Sequence, residues 1–350
     1  MKEQLLLGTL ILSFSFYVDA QTLTTEDFNS YTVGNITTAT NGSTPGQGGY
    51  ILFSSNGGGT TTSTNSGPAV AQIVPAGLNN NALQMTGPNG SGGGRFLWKN
   101  GLGNIWATRP AANNIIEVEV DINPGALNSS KNLFGVYIYA PNNVVLAGFL
   151  VRAATREVSL VTYSFPEGGS LGNNTYDLGI FLPANTTSRI GISFNKATGE
   201  VRLKGPGLSS SGASGVGSAM GMDPIETDFI VYSGTDQTGI NAAAASMVFD
   251  NLVIKASNID TLLKTENDTI LSSLLSIYPN PASGVITVKN TGNIPVNSIA
   301  ITDLNGRTIK SMVYKNLTET QINIADLSPG VYMVKVASDQ GTTTKKMVKQ

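Results

Sequence analysis

Three acidic side chains, Glu117, Glu119 and Asp121, alternate with Val118, Val120 and Ile122. Successive side chains of a strand point to opposite faces, so the three carboxyls share one face and the aliphatic residues the other. Two carboxyls about 5–5.5 Å apart are what retaining glycoside hydrolysis needs, one as nucleophile and one as acid. The solvent face of a half-buried strand explains the same alternation without chemistry. Little other catalysis is open to this chain, which has no histidine and no cysteine. That removes Ser-His-Asp and Cys-His nucleophiles, thiolate redox centres, haem ligation and ordinary zinc sites. No cofactor is expected beyond a possible structural calcium, because any metal would have to be a hard, oxygen-bound ion. Asp27 and Asp250, in what read as the first and last strands of the large domain, are the candidate calcium ligands; solvated surface aspartates are the plain alternative.

A second constellation comes from register. With Asn142-Asn143 and Ala154-Thr155 as two-residue turns, Leu133–Pro141, Val144–Ala153 and Arg156–Ser164 form three antiparallel strands. Val136, Ile138, Phe149, Val151, Val158 and Leu160 then share one face, which must be core. The other face collects Tyr137, Tyr139, Arg152, Glu157, Ser159 and Tyr163. Aromatic rings beside polar groups suit a carbohydrate, whose C–H faces stack on rings while its hydroxyls take hydrogen bonds. Tyrosines are also ordinary strand formers, and Arg152 opposite Glu157 would make a plain cross-strand ion pair. Trp98 and Trp106 flank a Gly-rich turn and are further candidates, with half-buried packing as the alternative.

The elements that must position these groups are strands. The chain has 350 residues, 40 glycines and 13% charged residues, a composition that fits turn-rich all-β domains better than helical bundles. Net charge is −2, so a nucleic-acid partner, which needs a basic face, is not expected. Lys2 precedes a largely apolar run from Leu5 to Val18, and Val18-Asp19-Ala20 offers small residues for a signal peptidase, so residues 1–20 read as a signal peptide cleaved between Ala20 and Gln21. The run is short of the ~20 residues a membrane span needs, and no transmembrane segment is expected in the mature chain. Residues 21–257 read as one large β-sandwich or jelly roll in which Asn41–Pro68 and Gly205–Gly221 are long loops. Residues 258–273 read as a polar linker, and residues 274–350 as a second unit of about seven short strands. Charge divides with that boundary: residues 21–273 carry 12 Lys+Arg against 17 Asp+Glu, and residues 274–350 carry 8 against 4.

In the second unit Tyr278-Pro279-Asn280-Pro281 reads as an edge strand, since proline cannot donate to a ladder, with Tyr278 as its anchor in the core. Asn305-Gly306, after Asp303, is a hairpin turn. Ser328-Pro329-Gly330 suits a type II turn. Tyr332, Val334 and Val336 then face inward, and Lys345, Lys346 and Lys349 finish the chain on a strand.

The order IYPNPASG, ITDLNGR, INIADLSPGVYMVKV and KKMVKQ resembles the type A C-terminal sorting domain of the bacterial type IX secretion system. The resemblance implies a small immunoglobulin-like β-sandwich, recognition by an outer-membrane translocon and its sorting peptidase, and a secreted or cell-surface destination reached through the periplasm. Within that setting Asp260-Thr261-Leu262 and Asp268-Thr269-Ile270 resemble Asp-Thr-aliphatic O-glycosylation acceptors. In the large domain TTEDFNSYTVGNI and MVFDNLVIKAS resemble the first and last strands of concanavalin-like or laminin-G-like jelly rolls, which lie near one another in that fold, and SRIGISFNKATGEVRL resembles one of its hairpins. Some concanavalin-like glucanases carry an E-x-D-x-x-E pattern; this chain reads E-x-E-x-D at Glu117–Asp121 and lacks the final Glu. The expectation is therefore a non-catalytic carbohydrate-binding or adhesion module that meets a polysaccharide or surface glycan. A glycosidase using Glu117, Glu119 and Asp121 is the alternative, and a structural surface-coat protein the third reading.

Overall fold

A computed structural model describes residues 20–58, 62–77, 80–208, 212–236, 239–263, 275–290, 296–303, 307–317, 319–338 and 341–350. Residues 1–19, Thr269 and Gly306, named above for the signal peptide, a glycan acceptor and a turn, lie outside them. The chain divides into two compact units, through Leu263 and from Lys264 onward.

In chain order the first unit lays down β1 (Gln21–Glu26), β2 (Gly34–Asn35), β3 (Ile51–Ser54), β4 (Ala71–Gly77), β5 (Asn80–Thr86) and β6 (Gly94–Trp98). After helix α1 (Leu102–Ala107) come β7 (Ile115–Asn123), β8 (Leu133–Ala140), β9 (Val144–Arg152), β10 (Glu157–Ser164), β11 (Gly172–Phe181) and β12 (Ser188–Asn195). Then follow β13 (Glu200–Lys204), β14 (Ala213–Val216), β15 (Glu226–Tyr232), β16 (Thr235–Asp236), β17 (Gly239–Ile240) and β18 (Ser246–Ser257). They form an antiparallel jelly-roll sandwich. One sheet runs β14-β13-β12-β7-β18-β5-β4-β2 with β1 also on β18, and the other runs β11-β10-β9-β8-β15-β6-β3. The first and last strands pair, Glu26 opposite Leu252, as the jelly-roll resemblance implies.

The three-strand register holds. Val136, Ile138, Phe149, Val151, Val158 and Leu160 all lie in the core between the sheets, and Asn142 and Asn143 turn the β8–β9 corner at φ 63° and 60°. The two expected loops need correction, because each contains an edge strand: β3 ends the seven-stranded sheet and β14 the nine-stranded one. β3 is a short apolar run masked by the Gly- and Asn-rich sequence around it, whereas β14 is itself small and Gly-containing, which an edge strand, partnered on one side only, tolerates. Arg95, fully buried, pins the first of these segments by donating to the carbonyls of Ser55 and Asn65 at 2.5 and 2.9 Å.

The second unit contains β19 (Leu275–Tyr278), β20 (Val285–Asn290), β21 (Val296–Thr302), β22 (Thr308–Leu317), β23 (Glu319–Asn323), β24 (Gly330–Ser338) and β25 (Gly341–Lys349). Sheets β19-β20-β23 and β22-β21-β24-β25 close on Ile286, Ile299, Ile301, Val334, Val336 and Met347, with Tyr332 packed against them. β19 is an edge strand as expected, but Tyr278 is 43% exposed and is not a core anchor. Ala282, beyond the second proline, takes the buried place. Gly330 has φ +159°, the near-extended start of β24 rather than a type II turn position.

Candidate functional site

The outer face of the seven-stranded sheet is built around β15. Phe229 and Val231 enter the core, so alternation puts Glu226, Asp228, Ile230 and Tyr232 outside. Pairing sets Tyr139 opposite Glu226 and Tyr137 opposite Asp228 on one side, and Trp98 opposite Asp228 with Phe96 opposite Ile230 on the other. Phe53 of β3 lies across from Phe96. The result is a chain of rings across four neighbouring strands. Centroids are 6.2 Å apart for Phe53–Phe96, 5.4 Å for Phe96–Tyr232, 6.3 Å for Tyr232–Tyr137 and 5.7 Å for Tyr137–Tyr139. Gly148 faces Tyr137, and a Cβ there would lie 2.3 Å from the ring, so only glycine lets the ring lie over β9. Phe53 is exposed, and Phe96, Trp98 and Tyr232 are half-buried.

Asp228 is 5% exposed among these rings, and its Oδ1 accepts no hydrogen bond from the described residues. Burial, then the neighbouring Glu226 charge, pushes its carboxyl up to about 8. Burial also raises Glu226. A carboxylate in an apolar site must be paired or take up a proton, so the site favours the protonated acid at Asp228.

Of the residues expected on this face, Tyr137 and Tyr139 are together but buried, at 5% and 8% exposure, in a second hydrophobic cluster with Val145, Leu150, Val161 and Ile230. Arg152 donates to the Thr235 carbonyl at 3.1 Å. Glu157 lies opposite Phe181, and Ser159 donates to Asp177 at 2.6 Å. Tyr163 packs against the main core instead of this face, which corrects the expectation that it belongs with the other two tyrosines. Trp106 is buried and donates to Asp223 at 2.7 Å; Trp98 alone of the two belongs to the aromatic face. Phe53, Phe96, Glu226, Asp228 and Tyr232 were missed. Their only local signal is the alternation in Glu226–Tyr232, because the partners that give it meaning are remote in the chain.

The carboxylate row of β7 is positioned as its alternation predicts but is spent on structure. Fully buried Glu117 accepts from Ser257 Oγ at 2.8 Å, Thr261 N at 2.7 Å and Thr261 Oγ1 at 2.5 Å. Burial raises its pKa, against those hydrogen bonds. Glu119 bridges Arg189 and Lys255 at 3.3 and 2.9 Å and accepts from Leu263 N. Asp121 holds Arg189 and Asn251 at 2.9 and 2.8 Å. The glycosidase assignment to these three acids is therefore corrected: their oxygens are taken. The linker boundary shifts for the same reason. Residues through Leu263 pack on the large unit, Leu262 is 1% exposed, and Asp260 pairs with Lys204 at 2.7 Å. The Thr261 hydroxyl, expected as a glycan acceptor, is engaged by Glu117 in the fold.

Asp250 lies opposite Asp121 and takes hydrogen bonds from Asn80 and Asn251, while exposed Asp27 accepts from Asn29 N. Among the described residues no group of three or more acidic side chains could hold a metal ion.

In the second unit Asn280 Nδ2 donates to the Lys346 carbonyl and Asn280 Oδ1 accepts from Val348 N, both at 2.8 Å. The Pro279–Pro281 segment is thereby stitched to edge strand β25, which carries Lys345, Lys346 and Lys349. Asp303 accepts from Arg307 N and Nε at 2.9 and 3.1 Å across the β21–β22 turn.

Residues 276–350 match the family described as the secretion system C-terminal sorting domain. This segment is a type IX sorting domain, and the protein is exported to the cell surface or secreted. Among the described residues no helix is long and apolar enough to cross a membrane. No curated protein matches the chain. Similar solved structures include an alginate lyase in complex with alginate tetrasaccharide, 13% identical over 69% of this chain and 98% of that one, TM-score 0.41. A marine alginate lyase from Aplysia kurodai is 8% identical over 67% and 99%, TM-score 0.41. The CBM2 module of an evolved Dit from Lactobacillus casei BL23 phage J-1 is 13% identical over 69% and 98%, TM-score 0.35.

Proposed function

We propose that the large unit is a non-catalytic carbohydrate-binding module delivered to the cell surface by its sorting domain, and that the aromatic face of the seven-stranded sheet is its binding surface. The observation that carries this reading is the run of rings from Phe53 through Phe96 and Tyr232 to Tyr137, with half-exposed Trp98 beside it. Two interstrand spacings separate exposed Phe53 from half-buried Tyr232, about 10 Å, enough for a short stretch of sugar rings stacked on aromatic faces. Affinity electrophoresis of the mature protein through gels containing polysaccharide tests it. Retardation by at least one polymer, reduced by Phe96→Ala and by Trp98→Ala, is expected; unaltered migration in every gel refutes the reading.

A glycosidase reading has one observation in its favour, the pair Glu226 and Asp228 on the same face with both carboxyls raised. It requires reducing-sugar release by the wild type that Asp228→Asn and Glu226→Gln abolish.

A further inference from the structure

Resting on the aromatic face as the binding surface, we propose that its ligand is an uncharged polysaccharide, and that uronate or sulfated polymers are excluded by the charge of the face. On β15, Asp228 lies opposite Trp98 and Tyr137 and Glu226 opposite Tyr139 at the end of the ring run, and Glu157 and Asp177 follow on β10 and β11 at the far side. Among the described residues, Arg152 already donates to the Thr235 carbonyl and Lys131 pairs with Asp236 at 2.9 Å. Recognition of a polyanion normally relies on arginine or lysine forks that match each carboxylate or sulfate. Among the described residues none is set among these rings.

Electrostatics runs in the same direction. A sugar carboxylate about 4 Å from Glu226 is repelled by roughly 1 kcal/mol in water and by several times that at the lower effective dielectric of a protein surface. The penalty falls on a charged ring at the Glu226 end of the run, whereas stacking of a neutral ring needs no compensating cation. Asp228 completes the distinction. Its carboxyl is nine-tenths buried among rings and its Oδ1 has no partner among the described residues, so no cation beneath the rings stands ready to compensate an anionic ligand. Placing a polymer carboxylate nearby would add charge to the one site on this face that already excludes it.

The full mature chain, residues 21–350, can be titrated with laminarin, mannan and xyloglucan as neutral probes, with alginate, polygalacturonate and dextran sulfate as anionic ones, and with chitosan as a cationic one. Trp98 reports binding by its emission, since Trp106 is buried and held by Asp223. The expected result is binding to at least one neutral polymer, with affinity unchanged between ~50 and ~500 mM salt and reduced roughly tenfold by Phe96→Ala. Phe53→Ala, at an exposed edge position, gives the same direction with little risk to folding. Tighter binding to an anionic polymer or to chitosan than to every neutral one overturns the inference and leaves the module reading standing. Silence toward all seven polymers overturns both.

Discussion

The Asp228 carboxyl sits between Trp98 and Tyr137 on the neighbouring strands, with Glu226 as its nearest charge and Tyr232 two residues on. It keeps its proton in the fold up to about pH 8, but loses it near pH 4 in the unfolded chain. The folded state binds that proton more tightly, so this group's contribution to stability is complete below about pH 4 and is lost as pH rises toward 8, by at most about 1.4 kcal/mol per unit. Asp228→Asn, a neutral mimic of the protonated acid, should match the wild type in urea melts near pH 4 and exceed it at pH 9. Glu117 is the opposite case, a buried acid with every neighbour aligned to it. Glu117→Leu strands three donors and should cost roughly 2–4 kcal/mol in the same melts. Glu117→Gln should cost less, because the Thr261 hydroxyl can turn to accept from the amide. Both roles were illegible from residue type: an alternating acid on a strand reads alike whether it meets water, a ring or a hydroxyl.

At the scale of elements, the β8–β9–β10 meander was readable because its turns are short and its register follows from them. Six core residues and, Tyr163 apart, the opposite face emerge from parity alone. Parity cannot say whether the second face is open, and here Tyr137 and Tyr139 are closed in by Val145, Leu150 and Val161. The face continues instead toward β15, β6 and β3, strands contributed from elsewhere in the chain. Gly148 is the element-level hinge of this arrangement. Gly148→Ala puts a methyl 2.3 Å from the Tyr137 ring, and should destabilise the unit by about 1–3 kcal/mol while weakening polysaccharide retardation, both measurable on one preparation. Edge strand β14 escaped notice because an edge does not demand an apolar composition, and β3 because its short apolar run lies inside a Gly-rich stretch.

For the whole molecule, the carboxylate row of β7 clasps residues 257–263 to the large unit. A fragment ending at Leu263 should therefore melt at a higher temperature than one ending at Ser257, by several degrees for a loss of about 2 kcal/mol. Removing residues 276–350 should leave the remaining chain in the periplasm, as immunoblots of cell fractions would show; surface display without them contradicts the sorting role. That role was legible because a sorting domain is recognised by ordered local motifs, and the same is true of the strand periodicity and the turns. The all-β class, the two-unit organisation, the core stripe and the export address all follow from residue order alone. The binding face does not. Which acids are consumed as clasps, which one keeps its proton and which rings adjoin depend on crossovers that set β15 between β8 and β6. Charge and stacking act through space, so only the packed sandwich decides where a polymer could lie.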